Sequence, residues 1–129
     1  MRKPLFAPIL ALGLVATAPA AFAHHSFNMF ALDKVVTVQS TIKSVSWKMP
    51  HVWVYATVQT DSGPEDWGFE CHSPNLVARK GWHSATLKPG DKIAITMHPM
   101  KDGTKAGSLI YFTTADGQKL WNADSVNNP

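Results

Sequence analysis

Residues 51–58, HVWVYATV, alternate with a period of two. Val52, Val54, Ala56 and Val58 fall on one face, and His51, Trp53, Tyr55 and Thr57 on the other. Successive side chains of a strand point to opposite faces, so this pattern specifies a strand with one buried, apolar side. Such a strand must lay that side against a second sheet, or against its own sheet curled back on itself. The neighbouring segments supply the partners. KVVTVQSTIKSVSWK (34–48) is rich in β-branched residues and too long to stay flat, which predicts a bend or bulge near Ser40. TDSGPED reads as a turn, and DWGFEC (66–71) as a third strand with Trp67, Phe69 and Cys71 on one side. KIAITMH (92–98) sets Ile93, Ile95 and Met97 on one face. SLIYFTT (108–114) follows as a fifth strand, and ADGQKLW as a turn into a short last one.

The one helix signal lies between the third and fourth strands. In SPNLVARKGW, Ser73 suits an N-cap, Pro74 the first helical position and Gly81 the stop. Three strands, a helix and two strands is the order of the OB barrel. The expected fold is therefore mainly β: an OB-like barrel of five to six strands over residues 24–122, with one short helix between strands three and four. Residues 123–129 read as a polar tail.

Residues 1–23 read as a signal peptide. Arg2 and Lys3 form a basic start, LFAPILALGLVA an apolar stretch, and Ala21, Phe22 and Ala23 a small-x-small cleavage site. The apolar stretch contains Pro8 and Gly13 and is short for a membrane span. Cleavage after Ala23 predicts a periplasmic or secreted protein with no membrane span. Loss of Arg2 and Lys3 takes the basic residues from 12 to 10 against 9 acids, and the net charge from +3 to +1. No dense basic block remains, so nucleic acid is not an expected partner. The chain has one cysteine, Cys71, and hence no intrachain disulfide, so packing of its five tryptophans and many aliphatic residues must hold the core.

Cleavage after Ala23 would make His24 the first residue. A terminal histidine offers an α-amine and an imidazole to one metal ion, and a further imidazole completes three nitrogens. That donor set suits tetragonal Cu(II) or Ni(II). OB topology puts two groups of candidates within reach of the leading segment. Met97, His98 and Met100 lie where the fourth strand ends beside the start of the first. Cys71 and His72 lie where the third strand ends beside Met49 and His51. About ten residues precede the first strand and span roughly 33 Å when extended, enough to reach either group. Met97 and Cys71 continue apolar faces and read as core. The expected metal residues are His24, His25, His51 and His98, with copper as the cofactor.

A second reading uses the stripe of Trp53 and Tyr55. Aromatic residues on the outer face of strands two and three can stack on a glycan or hold a peptide. The competing expectation is that Phe27, Met29 and Phe30 of the leading segment cover that face. A copper oxidase or oxygenase is a third reading. Hydrolytic motifs are absent from the sequence: there is no Gly-x-Ser-x-Gly, His-Glu-x-x-His or phosphate loop.

Five stretches, AHHSFNMFALDKVVTV, MPHVWV, SPNLVARKGW, LKPGDKIAI and HPMKDGTKAGS, together resemble a family of small exported bacterial proteins of unknown function. Its members begin HHSF and carry N-P-H, S-P-N, G-W, L-x-P-G-D and H-P-x-K/R-D-G. The resemblance spans the whole expected mature chain and implies that His24, His25, His51 and His98 belong to the family pattern. The same holds for Ser26, Phe27, Ser73, Pro74, Asn75, Gly81, Trp82 and Asp102. The chain departs from that pattern at Met49, where the family has Asn, and at Cys71, where it has a small residue. The resemblance brings no activity with it. The combined expectation is an exported protein that binds, delivers or buffers copper without turnover, with a metal ion or a periplasmic protein as its partner.

Overall fold

The computed structural model describes residues 27–122. The leader, His24, His25 and the 123–129 tail lie outside these residues. A 3-10 turn, Phe27–Met29, leads into strands β1 (Val36–Ser46), β2 (Trp53–Thr60) and β3 (Gly63–Glu70). Helix α1 (Pro74–Arg79) separates these from β4 (Lys92–Pro99), β5 (Ala106–Thr114) and β6 (Lys119–Trp121). The strands lie in the order β3-β2-β1-β4-β5-β6. A further β3–β5 pairing closes the first five into a barrel and leaves β6 outside it. That closure is parallel, Gly68 to Ala106 and Glu70 to Ser108, while every other strand pair is antiparallel. The mainly-β, OB-like architecture is as the sequence predicts.

The alternation in β2 is realised in full. Val52, Val54, Ala56 and Val58 have no exposed surface. They meet Phe69 from β3, Ile95 and Met97 from β4, and Phe112 from β5. Val77 of α1 and Trp82 just beyond it belong to the same core. The Trp82 ring sits edge-on to Phe112 at 4.8 Å, and its Nε1–H donates to the Trp121 carbonyl at 3.0 Å. Trp82 thereby ties the strand outside the barrel to the core beneath it.

Three local expectations shift. The irregularity of β1 lies between Ile42 and Ser44, three residues after Ser40. Ser40 pairs with Val58 on one side and Ile93 on the other, so it is the point where both neighbours hold β1 in register. The extra residue is Lys43, beyond the β4 pairing, where only β2 constrains the strand. Next, β3 begins at Gly63 rather than Asp66. Gly63 has φ of 107°, which lets the chain reverse tightly at Asp61 and Ser62. Pro64 is tolerated inside β3 because its outer edge meets β5 only from Gly68 onward. Lastly, Ser73 begins α1 through its carbonyl, which accepts from Leu76 and Val77, and makes no side-chain cap.

Candidate functional site

The register of β2, β3, β5 and β4 sets Trp53, Glu70, Ser108 and His98 side by side in one row across the outside of the barrel. Phe69 and Met97, their inward neighbours, are fully buried. The leading segment crosses this row. Phe30 forms a bridge with Met100, the Ala31 amide donates to the Pro99 carbonyl at 2.8 Å, and the Lys101 amide donates to the Met29 carbonyl at 3.0 Å. Phe30 is buried, Phe27 packs edge-on to it, and the Phe27 ring lies 6.5 Å from the His72 ring. A small cavity of about 30 Å³ remains beneath, lined by Phe27, Phe30, His51, Glu70, His72 and Ser108, among others. A space of that size accepts an ion or one or two waters.

His51 and His72 reach this cavity because the β2–β3 ladder continues past both strands. The Val52 amide donates to the His72 carbonyl at 3.0 Å and the Cys71 amide to the Val52 carbonyl at 2.9 Å. The His51 Nδ1 lies 2.9 Å from the Cys71 carbonyl. A carbonyl only accepts, so Nδ1 carries a proton and donates it to this hydrogen bond. Nε2 lies 3.5 Å from Glu70 Oε1. Glu70 is 7% exposed, and its Oε2 is buried without a hydrogen-bond partner. Burial holds the His72 imidazole below its ordinary pKa, and the nearby His51 adds to this while Glu70 opposes it. His72 is therefore a neutral nitrogen donor near pH 7. Asn122 fixes its backbone: Oδ1 accepts from the His72 amide at 2.7 Å, and Nδ2 donates to the Leu109 carbonyl at 2.7 Å.

His98 stands at the other end of the row and does not line the cavity. Its Nδ1 donates to the Lys34 carbonyl at 2.7 Å, the arrangement that leaves Nε2 as the ligating nitrogen. His83 is exposed on the loop after α1 and has no place near the cavity. Among the described residues, no three His, Cys, Asp or Glu side chains converge as a ready-made metal group. His51 and Glu70 approach one point, and His24 and His25 lie outside the described chain.

Cys71 belongs to the core. Its thiol is buried and its pKa is pushed far up, first by burial and then by the charge of Glu70. A chromogenic thiol reagent is expected to leave Cys71 unlabelled in the native protein and to label it fully in guanidinium. Rapid native labelling would show that the barrel opens at this edge.

Trp53 and Tyr55 stack with their rings 6.2 Å apart and 14° from parallel. Gly68, opposite Tyr55, leaves room above the sheet for both rings. Among the described residues, the leading segment does not cover this shelf: Tyr55 is 41% exposed and borders an open groove with Trp67, Lys43 and Asp66. The expected covering by Phe27, Met29 and Phe30 instead falls on Glu70, Ser108 and His72.

Sequence reasoning did not single out Glu70 or Asn122, and it named His72 within reach of the leading segment without placing it among the expected metal residues. An acid that alternates outward from a strand reads as solvated. The residues that bury Glu70 come from β5 and from the leading segment, both distant in sequence. The adjacency of Glu70 and His72 to Cys71, at the strand end that OB topology brings to His51, was the available signal.

No helix among the described residues is long and apolar enough to cross a membrane. No curated protein and no solved structure matches the chain. A family model does match, over residues 11–109, which is most of the chain and includes every strand from β1 to β4. The chain belongs to DUF6152, a family of unknown function.

Proposed function

We propose that this is an exported copper-binding protein, whose leader is removed after Ala23 and whose new terminal residue, His24, chelates the metal. His24 would supply its amine and ring nitrogen. His51 would complete the nitrogen set through Nε2, with His25 adjacent. His98, at the far end of the row, is the other candidate third ligand. The observation that carries the reading is the position of Phe27. It lies against His72 at the cavity that His51 and Glu70 line. His24 is three residues upstream, a reach of roughly 10 Å. The fixed Nδ1 proton of His51 supports the same reading, because ligating histidines characteristically anchor the second nitrogen on a carbonyl. The role is binding, delivery or buffering in the periplasm or outside the cell.

The test is Cu(II) titration of the processed chain beginning at His24 against a chain with one extra N-terminal residue. The extra residue removes the free amine from His24 and is expected to weaken binding by at least about tenfold, since one ligand is lost. Equal affinities would sink the free-amine chelate. A second reading, a module for a glycan or peptide, is favoured by the exposed Trp53–Tyr55 shelf alone. Retention on immobilised glycans that disappears in Tyr55→Ala would support it.

A further inference from the structure

Glu70 is buried against the cavity with only one carboxylate oxygen engaged. A buried carboxylate oxygen with no donor is costly unless a proton or a cation reaches it. His51 sharpens the case. Its Nδ1 donates to the Cys71 carbonyl, which turns Nε2 toward Glu70 Oε1. The 3.5 Å separation of Nε2 and Oε1 fits one ion. Two donors about 2.0–2.1 Å from an ion stand roughly 3.4 Å apart at a tetrahedral angle and roughly 2.9 Å apart at a right angle.

We propose that Glu70 is the anionic ligand of this centre and, with His51 Nε2, makes it a site for a divalent cation, Cu(II) rather than Cu(I). A carboxylate and imidazoles are the harder donors and favour the doubly charged ion. Of the soft donors that would favour Cu(I), Met97 is fully buried in the barrel, and Cys71, which also borders the cavity, sets its Sγ 3.8 Å from the Phe69 carbonyl. As a ligand the Glu70 carboxylate offsets one of the two charges of Cu(II), and it lies beside the rings of His51 and His72. The proposal rests on the reading that this cavity takes copper, but not on the free amine of His24.

The experiment compares Glu70→Gln with the parent, both processed to His24, in competition with chromogenic chelators for Cu(II) and, under reductant, for Cu(I). Glu70→Gln is expected to lower Cu(II) affinity by at least about tenfold, the scale on which even an outer partner of a metal ligand acts. Cu(I) affinity is expected to change far less, and the electron paramagnetic resonance spectrum of the Cu(II) form to shift. Unchanged Cu(II) affinity and spectrum would overturn the role of Glu70 and leave the His24 chelate standing. A parent protein that binds no Cu(II) would overturn both. If Glu70→Gln does not fold, the parent decides by thermal melting: Cu(II) should raise Tm more than Cu(I) does, and equal shifts would overturn the selectivity.

Discussion

Gly107→Ala is expected to destabilise the domain by about 2–3 kcal/mol, at the upper end of what an added core methyl does. A Cβ at this position would lie 2.9 Å from the His98 carbonyl oxygen and would overlap Met97 Sδ. Neither neighbour can retreat easily. The carbonyl is backbone in the β4–β5 ladder, and Met97 is fully buried in a close-packed core. Gly107 pairs with Pro99 on one side and Phe69 on the other, so it sits where β5 joins both β4 and β3 to close the barrel. Urea denaturation gives the comparison with Gly117→Ala. Gly117 has φ of 89° with open space around it, so its substitution carries backbone strain alone, about 1–2 kcal/mol. If Gly107→Ala proves the milder change, the closing strands are not as tightly spaced as described.

Asn122→Leu is expected to destabilise by about 2–4 kcal/mol, because it orphans two buried backbone groups at once. The His72 amide would lose its acceptor and the Leu109 carbonyl its donor. Asn122→Asp separates the two contributions. It keeps an oxygen for the His72 amide but sets a carboxylate against the Leu109 carbonyl, so an intermediate or larger loss is expected, worsening as pH rises and the carboxyl ionises. Thermal denaturation across pH reads this directly. A leucine variant as stable as the parent would show that water can take over both bonds. Because Asn122 holds the backbone of His72, the same variants should also weaken any metal affinity that depends on His72.

How much of this was legible in the sequence depends on the range of the interactions concerned. The buried faces of β2 and β4 follow from alternation, a property of adjacent residues. The order of the elements sufficed for the barrel, and topology correctly brought His51 to Cys71 and His72, and His98 to the leading segment. The bulge position escaped because Lys43 is selected by where β4 stops pairing with β1, which no local signal records. The start of β3 escaped because Gly63 and Pro64 spell a turn locally, and the sheet edge tolerates them. The burial of Glu70 escaped for the same reason on a larger scale. It requires Phe30 to be fixed by Met100, 70 positions away in number, and β5 to lie alongside β3. Of the two candidate third ligands, only His51 lines the cavity.

The bridge between Phe30 and Met100 also acts as a ruler. With Phe30 pinned to the loop after β4 and the 3-10 turn Phe27–Met29 before it, each residue further upstream adds at most roughly 3.3–3.6 Å of reach. That step is larger than a metal–ligand bond. On the proposed function, moving the cut by a single position would replace the chelating amine with another residue's and displace it by more than a coordination sphere can absorb. The accuracy of the peptidase would then be part of the chemistry of the site, and a batch of protein with ragged ends would be a mixture of distinct metal-binding species.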